Sequence, residues 1–359
     1  MEMIRVNLSR NSYNIYLDKG LLERIGDTLV KEKAPCKTLL ITDTNIEKIY
    51  GNIVAESLIR NKFDVRIVSL KPGEDQKTLE TAITLYDACF DHKLDRHSMI
   101  IALGGGVVGD ISGFVASTFM RGIPFIQIPT SLLAQVDSSI GGKVAVNHPK
   151  GKNMIGSFYQ PKAVFIDTDA LSTLPAVEFV VGLVEVIKYG VIRNAELFEY
   201  IEKHLHDILQ LNHTALLKII ADSCRIKTGV VEEDEKEVYL RAILNYGHTI
   251  GHAIETLTNY NKYRHGEAIA IGMLYATKIA VEIGLTNNKV YERQLSLIKR
   301  LGLPLTIDLK PGDIIKTLYT DKKVISGKLR FILPKKIGEV VISDEVTEDI
   351  LYKILNAPL

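Results

Sequence analysis

Five short runs rich in Ile, Leu, Val and Phe recur through the first half of the chain, with helically spaced segments between most of them. The runs are Lys37–Thr42, Phe63–Leu70, Met99–Leu103, Phe125–Ile128 and Ala163–Ile166; the stretches near 45–60, 77–91 and 107–118 carry helical spacing. Strands separated by helices cannot close as tight hairpins. They need crossover connections, which give a parallel sheet with helices packed on it. An antiparallel hairpin is expected ahead of this series, around residues 3–9 and 13–17.

From about Leu174 the pattern changes. Segments near 178–193, 195–211, 213–231, 243–259, 265–284 and 287–301 follow helical periodicity, with Phe198, Ile201, Leu205 and Leu209 forming one apolar stripe. Only Leu329–Leu333 and Glu339–Ile342 resemble a late hairpin. No repeat or low-complexity linker interrupts the chain. The expected fold is an α/β domain with a parallel sheet over residues 1–173, then a mainly helical domain over 174–359. The acidic run Glu232–Glu237 is expected to be a solvated loop between helices.

The 359 residues are enough for two cores. A net charge of +1 gives no bulk attraction to nucleic acid or to an anionic membrane, so an anionic ligand must be held by local basic residues. Cys36, Cys89 and Cys224 are far apart and form no Cys-x-x-Cys, which fits a reducing compartment. The first residues alternate like a strand, without the apolar block of a signal peptide. A soluble cytoplasmic protein is expected.

Met99–Leu103 runs directly into Gly104-Gly105-Gly106-Val107-Val108-Gly109-Asp110. Glycines between a strand and a helix let the backbone approach a pyrophosphate while the helix amides point at it, so this is a candidate dinucleotide loop. The bland alternative is a tight packing turn. Two features depart from an ordinary dinucleotide fingerprint. The loop comes late in the strand series, and the next strand ends in Gln127-Ile128-Pro129 with no acidic residue. Ribose contacts would then come from Asp43 and Asn45, and from Glu74 and Lys77.

Three histidines lie within a short span of the helical half. His248 and His252 sit four residues apart, on one face of a helix, and His265 follows. Neutral imidazole is the commonest metal ligand among side chains. The alternative is capping or core histidines. Glu185 and Lys188 occupy an apolar helix at i,i+3, where a carboxylate and an ammonium are costly unless paired or used. Arg121, Asp137, Lys143, Lys152 and Asn153 lie in a glycine-rich region read as loops between strands, which suits an anion site.

Together Gly104–Asp110, Met120-Arg121-Gly122, Val136–Lys143, Gly151-Lys152-Asn153, Glu185–Lys188 and Asn245–Glu255 resemble the 3-dehydroquinate synthase family, in family order, over roughly residues 40 to 335. The resemblance implies a nucleotide-binding N-terminal α/β domain, a helical C-terminal domain that binds metal and substrate, and a homodimer. It makes Glu185, His248 and His265 zinc ligands, with cobalt fitting the same donors, and His252 a neighbouring non-ligand. It assigns Glu74, Lys77, Gly106, Val107, Val108, Gly109, Asp110, Thr130, Ser131 and Thr173 to NAD, with Gly104 and Gly105 in the same loop. Arg121, Asp137, Asn153, Lys188, Lys227, Arg241, Asn245 and His252 fall around the substrate, and Lys143 and Lys152 enter both sets. Asp75, Val177 and Tyr246 depart from the family's usual Gln, Arg, and Leu or Phe.

The implied reaction converts 3-deoxy-D-arabino-heptulosonate 7-phosphate into 3-dehydroquinate and phosphate. It proceeds through transient oxidation by NAD, β-elimination, return of the hydride and intramolecular aldol closure. Lys152, Asn153, Arg241 and His252 would grip the phosphate, with Lys143 and Lys227 as candidates for the carboxylate. The chief rival is a metal-dependent polyol dehydrogenase of the glycerol type, whose uncharged substrates need no cationic cluster. A sister carbocycle-forming synthase would be expected to lack Lys227 or Arg241. A nucleotide-binding regulatory homologue would have a broken metal triad.

Overall fold

The computed structural model describes residues 1–320, 324–325 and 328–359. The chain forms two compact units, Met1–Pro175 with Leu211–Lys236, and Ala176–Gln210 with Glu237–Leu359. The expected single division between 173 and 174 lies close to the end of the first segment. It misses the return of Leu211–Lys236, whose helix His213–Glu233 packs on the first unit. There Lys227 donates to the Asp137 backbone carbonyl at 2.6 Å and also contacts its carboxylate. A partner ninety positions away leaves no trace in local periodicity.

The first unit carries a seven-stranded sheet. Its strands are β1 (Glu2–Val6), β2 (Tyr13–Asp18), β3 (Lys37–Asp43), β4 (Asp64–Leu70), β5 (Met99–Gly104) and β6 (Phe125–Pro129). Strands β7 (Lys143–His148) and β8 (Gly151–Phe158) form a separate hairpin, and β9 (Ala163–Asp167) returns to the sheet. The sheet order is β1-β2-β9-β6-β5-β3-β4, parallel except for the β1–β2 pair. Every expected sheet strand is present. The hairpin β7–β8 replaces the loops expected there, so Lys143, Lys152 and Asn153 stand on strands.

Alternate residues of the inner strands fill two separate cores. Leu39, Ile41, Ile100 and Ala102 pack with Leu85, Ile111 and Val115 on one face; Leu40, Ile101 and Leu103 pack with Leu29, Val54 and Leu58 on the other. Both faces are covered by helices, which explains why these strands read as continuous apolar runs. The chain steps from β3 to β4 in one direction and from β5 through β6 to β9 in the other. The order therefore reverses between β3 and β5. At such a switch point the carboxyl ends of parallel strands leave a crevice for ligands, and β5 ends in Gly104.

The second unit is built mainly of helices: Ala176–Arg193, Ala195–Leu209, His248–Leu257, His265–Glu282, Asn288–Arg300, Pro311–Thr320 and Glu348–Asn356. Phe331–Lys336 and Glu339–Ser343 pair as the expected late hairpin. The helix expected over 243–259 is broken. A 3-10 turn, Leu240–Asn245, ends before Tyr246, and Gly247 takes φ +80 before the helix restarts at His248. The acidic run is more engaged than expected: Glu232 accepts from the Asn7 amide at 2.5 Å, and Glu235 from Gln160 at 3.0 Å. Among the described residues no helix is long and apolar enough to cross a membrane.

Candidate active site

Helix Ala176–Arg193 is buried nearly all round, and it carries Glu185 and Lys188 into the interior of the second unit. Neither is more than 1% exposed, and the Lys188 ammonium lies against Glu185 Oε2. Lys188 Nζ also sits 5.0 Å from the ring centre of Tyr189. A buried carboxylate with one cation is only half accounted for, because Glu185 Oε1 is buried without a hydrogen-bond donor.

What faces Oε1 is a pair of imidazoles. Nε2 of His248 and Nε2 of His265 each stand 3.8 Å from it. That is too long for a hydrogen bond. Two ligand atoms held tetrahedrally at zinc bond lengths are about 3.4 Å apart. The other ring nitrogens are anchored: His248 Nδ1 lies 3.1 Å from the Tyr246 carbonyl, and His265 Nδ1 lies 3.2 Å from Glu255 Oε1. Metal-bound histidines are held in this way, the remote N–H donating to a carbonyl or carboxylate.

Local sequence explains the placement. Gly247 at φ +80 turns the chain so that His248 opens its helix, and helix His265–Glu282 crosses close by at Gly272. A Cβ on Gly272 would come within 2.0 Å of the Gly247 carbonyl oxygen. Burial pushes the proton affinity of His248 well below the usual imidazole range, helped by Lys188, His252 and His265. It is therefore neutral near pH 7, as a ligand must be. Burial would also lower His265, but the hydrogen bond and charge of Glu255, with Glu185, outweigh it and leave it raised.

His252 belongs to the same cluster, its ring 5.2 Å from that of His248 and 6.2 Å from that of His265. Its Nε2 lies 4.0 Å from Glu255 Oε2, and 42% of its side chain is exposed. Two donor groups could hold an ion, Glu185 with His248 and His265, and His252 with Glu255 and His265. The first has the orphaned buried oxygen and both anchored rings. Glu255 was not singled out from sequence, although its position seven residues after His248 puts it two turns along the same helix face. Arg241 is buried and Asn245 half-buried on the 3-10 turn; Asn245 donates to Glu237 at 3.4 Å.

The first unit assembles a second group. Gly106 begins the helix Gly106–Thr118 beyond β5, and the Thr130 amide donates to the Gly104 carbonyl at 3.0 Å. Ser131 is half-buried beside Gly105, within 3.6 Å of where its Cβ would stand. Val108 packs into the core while Val107 is half-buried. Lys77 is buried; its ammonium contacts the Asp110 carboxylate and donates to Asn153 Oδ1 at 2.5 Å. Asn147 on β7 donates to Glu74 at 2.8 Å, so the hairpin fastens the Glu74–Lys77 segment. Burial raises the Asp110 carboxyl above its usual range despite Lys77.

Other expected residues are placed more plainly. The Asp43 carboxylate caps a helical turn, accepting from the amides of Asn45 at 2.9 Å and Ile46 at 3.2 Å. Asn45 is exposed, and Thr173 pairs with the Tyr50 hydroxyl at 2.9 Å. Lys143 and Lys152 are exposed on the hairpin. Arg121 is exposed at φ 68, between Met120 at φ 50 and Gly122.

Residues 67–181 match the model of the 3-dehydroquinate synthase N-terminal domain, and residues 182–324 match that of the C-terminal domain. The chain belongs to the 3-dehydroquinate synthase family. A curated relative, the 3-dehydroquinate synthase of Desulforamulus reducens, is 51% identical over 358 residues, covering 99% of this chain and 100% of its own.

Among solved structures, 2-deoxy-scyllo-inosose synthase in complex with carbaglucose-6-phosphate, NAD+ and Co2+ is 29% identical, with TM-score 0.90 and full coverage of both chains. The 2-epi-5-epi-valiolone synthase of Streptomyces hygroscopicus subsp. jinggangensis, with NAD+ and Zn2+ bound, is 27% identical, with TM-score 0.89 and 97% of each chain covered. A glycerol dehydrogenase of Schizosaccharomyces pombe is 17% identical with TM-score 0.68, covering 95% of this chain and 88% of its own. It shares the fold alone, so the polyol dehydrogenases are distant structural relatives.

Proposed function

We propose that this chain is a 3-dehydroquinate synthase that takes 3-deoxy-D-arabino-heptulosonate 7-phosphate to 3-dehydroquinate and inorganic phosphate with NAD and a divalent metal ion. The observation that carries the chemistry is the buried Glu185 Oε1 facing two imidazole Nε2 atoms whose other nitrogens are already held. Curated relatives named 3-dehydroquinate synthase at about 50% identity along the whole chain carry the choice of reaction.

The donor set fits zinc, because two imidazoles and one carboxylate leave coordination positions open for substrate hydroxyls. Bound there, the ion would acidify a hydroxyl and polarise the carbonyl made from it. Glu185, His248 and His265 hold it in this reading, with Glu255 and the Tyr246 carbonyl fixing the rings. Lys188 pairs with Glu185 Oε2 and leaves Oε1 to the metal.

NAD is borrowed within each turnover and regenerated, so it must stay bound. The switch-point loop Gly104–Gly109 offers amides to its pyrophosphate, and Glu74, Lys77, Asp110, Thr130, Ser131 and Thr173 complete the cofactor set. Asp43 and Asn45 are assigned to the same nucleotide. Lys143, Lys152, Asn153, Lys227, Arg241 and Arg121 supply cations and donors for the phosphate and carboxylate, with Asp137, Lys188, Asn245 and His252. The substrate is thus an anionic sugar phosphate. The active form is a homodimer in the cytoplasm, with no nucleic acid or membrane partner.

The test is incubation of the full chain with the heptulosonate phosphate and NAD+, following inorganic phosphate. Release that stops with a chelator and returns with Zn2+ supports the reading. Release indifferent to metal refutes the role of the three ligands.

A further inference from the structure

We propose that a closed ring of hydrogen bonds among Tyr246, Thr277 and Gln294 positions His248 for metal binding, through the Tyr246 carbonyl. The inference rests on the metal reading above and concerns residues that touch neither metal nor substrate. They are positioning residues.

The Tyr246 carbonyl faces His248 Nδ1 at 3.1 Å, and it can orient the ring only as well as Tyr246 is itself held. Its phenol is held at three points. Tyr246 Oη lies 2.8 Å from Gln294 Oε1 and 2.7 Å from Thr277 Oγ1, and Gln294 Nε2 lies 3.0 Å from Thr277 Oγ1. Tyr246 donates to Gln294 and Gln294 to Thr277, while the Thr277 hydroxyl has two acceptors in reach, Tyr246 Oη, which closes the ring, and the Met273 carbonyl at 2.9 Å. The Met273 carbonyl, 3.1 Å from Tyr246 Oη, is a further acceptor.

None of the three side chains has exposed surface. Buried hydrogen-bonded rings are mutually reinforcing, and opening one strands polar atoms away from water. Packing alone does not call for this arrangement, since an apolar side chain at 246 would fill space with no polar atom to satisfy. The ring also joins the parts that matter. Thr277 lies on the helix that begins at His265, Gln294 on helix Asn288–Arg300, and Tyr246 on the turn entering the His248 helix. It thereby ties the turn of one imidazole donor to the helix of the other.

The test uses Tyr246→Phe, Thr277→Val, Thr277→Ser and the triple variant Tyr246→Phe/Thr277→Val/Gln294→Leu in the full chain. Each is stripped of metal and titrated with Zn2+ against a chromogenic chelator. The visible spectrum with Co2+ and the thermal midpoint of the metal-free protein are recorded alongside. Tyr246→Phe and Thr277→Val are expected to bind Zn2+ about tenfold more weakly, the lower end of the effect of groups that orient a ligand, with a shifted Co2+ spectrum. Thr277→Ser keeps the hydroxyl and the wild-type affinity.

The triple variant separates positioning from packing. Apolar replacement of the whole ring is expected to recover thermal stability without recovering affinity or spectrum. Affinity within twofold of wild type in Tyr246→Phe, or affinity that returns with stability in the triple variant, overturns the proposal. A wild-type chain that binds no Zn2+, with His248→Ala indistinguishable from it, instead overturns the metal reading and takes this inference with it.

Discussion

Nε2 of His248 stands 3.8 Å from Oε1 of Glu185, a carboxylate with no exposed surface. An imidazole that could have moved in to donate a hydrogen bond is instead held back by its other nitrogen on the Tyr246 carbonyl. That spacing leaves room for an ion between the two groups.

Removing a donor should therefore remove the metal before it removes the fold. Glu185→Gln, His248→Ala and His265→Ala are each expected to weaken Zn2+ binding by more than about 100-fold. Glu255→Gln, which touches only the far side of His265, should weaken it about 10- to 100-fold. Metal per chain after dialysis against a weak chelator reads the difference. Equal occupancy in Glu185→Gln and wild type would contradict the geometry.

The nucleotide loop is open to a separate test. A Cβ on Gly106 already comes within 3.1 Å of Ser138 Oγ, and the branches of Val would cover the amides at the helix start. Gly106→Val is expected to weaken NAD+ binding at least about tenfold, the equivalent of ~1.4 kcal/mol, with Zn2+ affinity unchanged. Calorimetric titration of both ligands checks this. Unchanged NAD+ affinity would remove the loop from the cofactor site.

Lys77 and Asp110 give a pH-dependent prediction. Lys77→Met leaves a largely buried carboxylate without its cation. Its expected cost is about 2–3 kcal/mol at neutral pH, less than a fully buried pair because Asp110 keeps 18% of its side chain exposed. Asp110 has a raised proton affinity when folded, so it favours the folded state when protonated, and that contribution is lost as pH rises. Lys77 opposes the rise, and removing it steepens the loss. The deficit should be largest near pH 7 and shrink towards pH 4, as read by urea denaturation without NAD+; a deficit independent of pH would contradict the pairing.

Burial pushes the thiols of Cys89 and Cys224 up to about 12. At pH 8 only about one in ten thousand of either is thiolate. Iodoacetamide should leave both unmodified in the native chain and label them after denaturation, as mass spectrometry can show. Rapid native labelling at Cys224 would mean that its helix does not stay docked on the first unit.

The sheet was legible because its strands are covered on both faces and spell apolar runs such as Ile100–Leu103. Strand β8 was not, since Lys152, Asn153, Gly156 and Ser157 are exposed and it depends on pairing with β7 rather than on burial. The break at Gly247 was hidden by apolar periodicity that continues across it, although only its left-handed turn makes His248 the first residue of a helix. Helix Glu348–Asn356 was missed despite the cap Thr347 provides to the Ile350 amide. In the candidate site, Glu185, His248 and His265 followed from the family resemblance, whereas His248 and His252 alone suggested a ligand pair. Glu255 and the ring around Tyr246 depend on contacts between helices, which no local pattern encodes.

The most direct measurement counts two products in one reaction. The full chain is incubated with the heptulosonate phosphate, Zn2+ and NAD+, and inorganic phosphate and NADH are measured over many turnovers. Phosphate is expected to accumulate with substrate consumed, while NADH never exceeds one per active site, because the hydride returns before the cofactor is released. NADH formed in proportion to a neutral polyol such as glycerol, with no phosphate released from the sugar phosphate, would contradict the synthase and leave a dehydrogenase in its place.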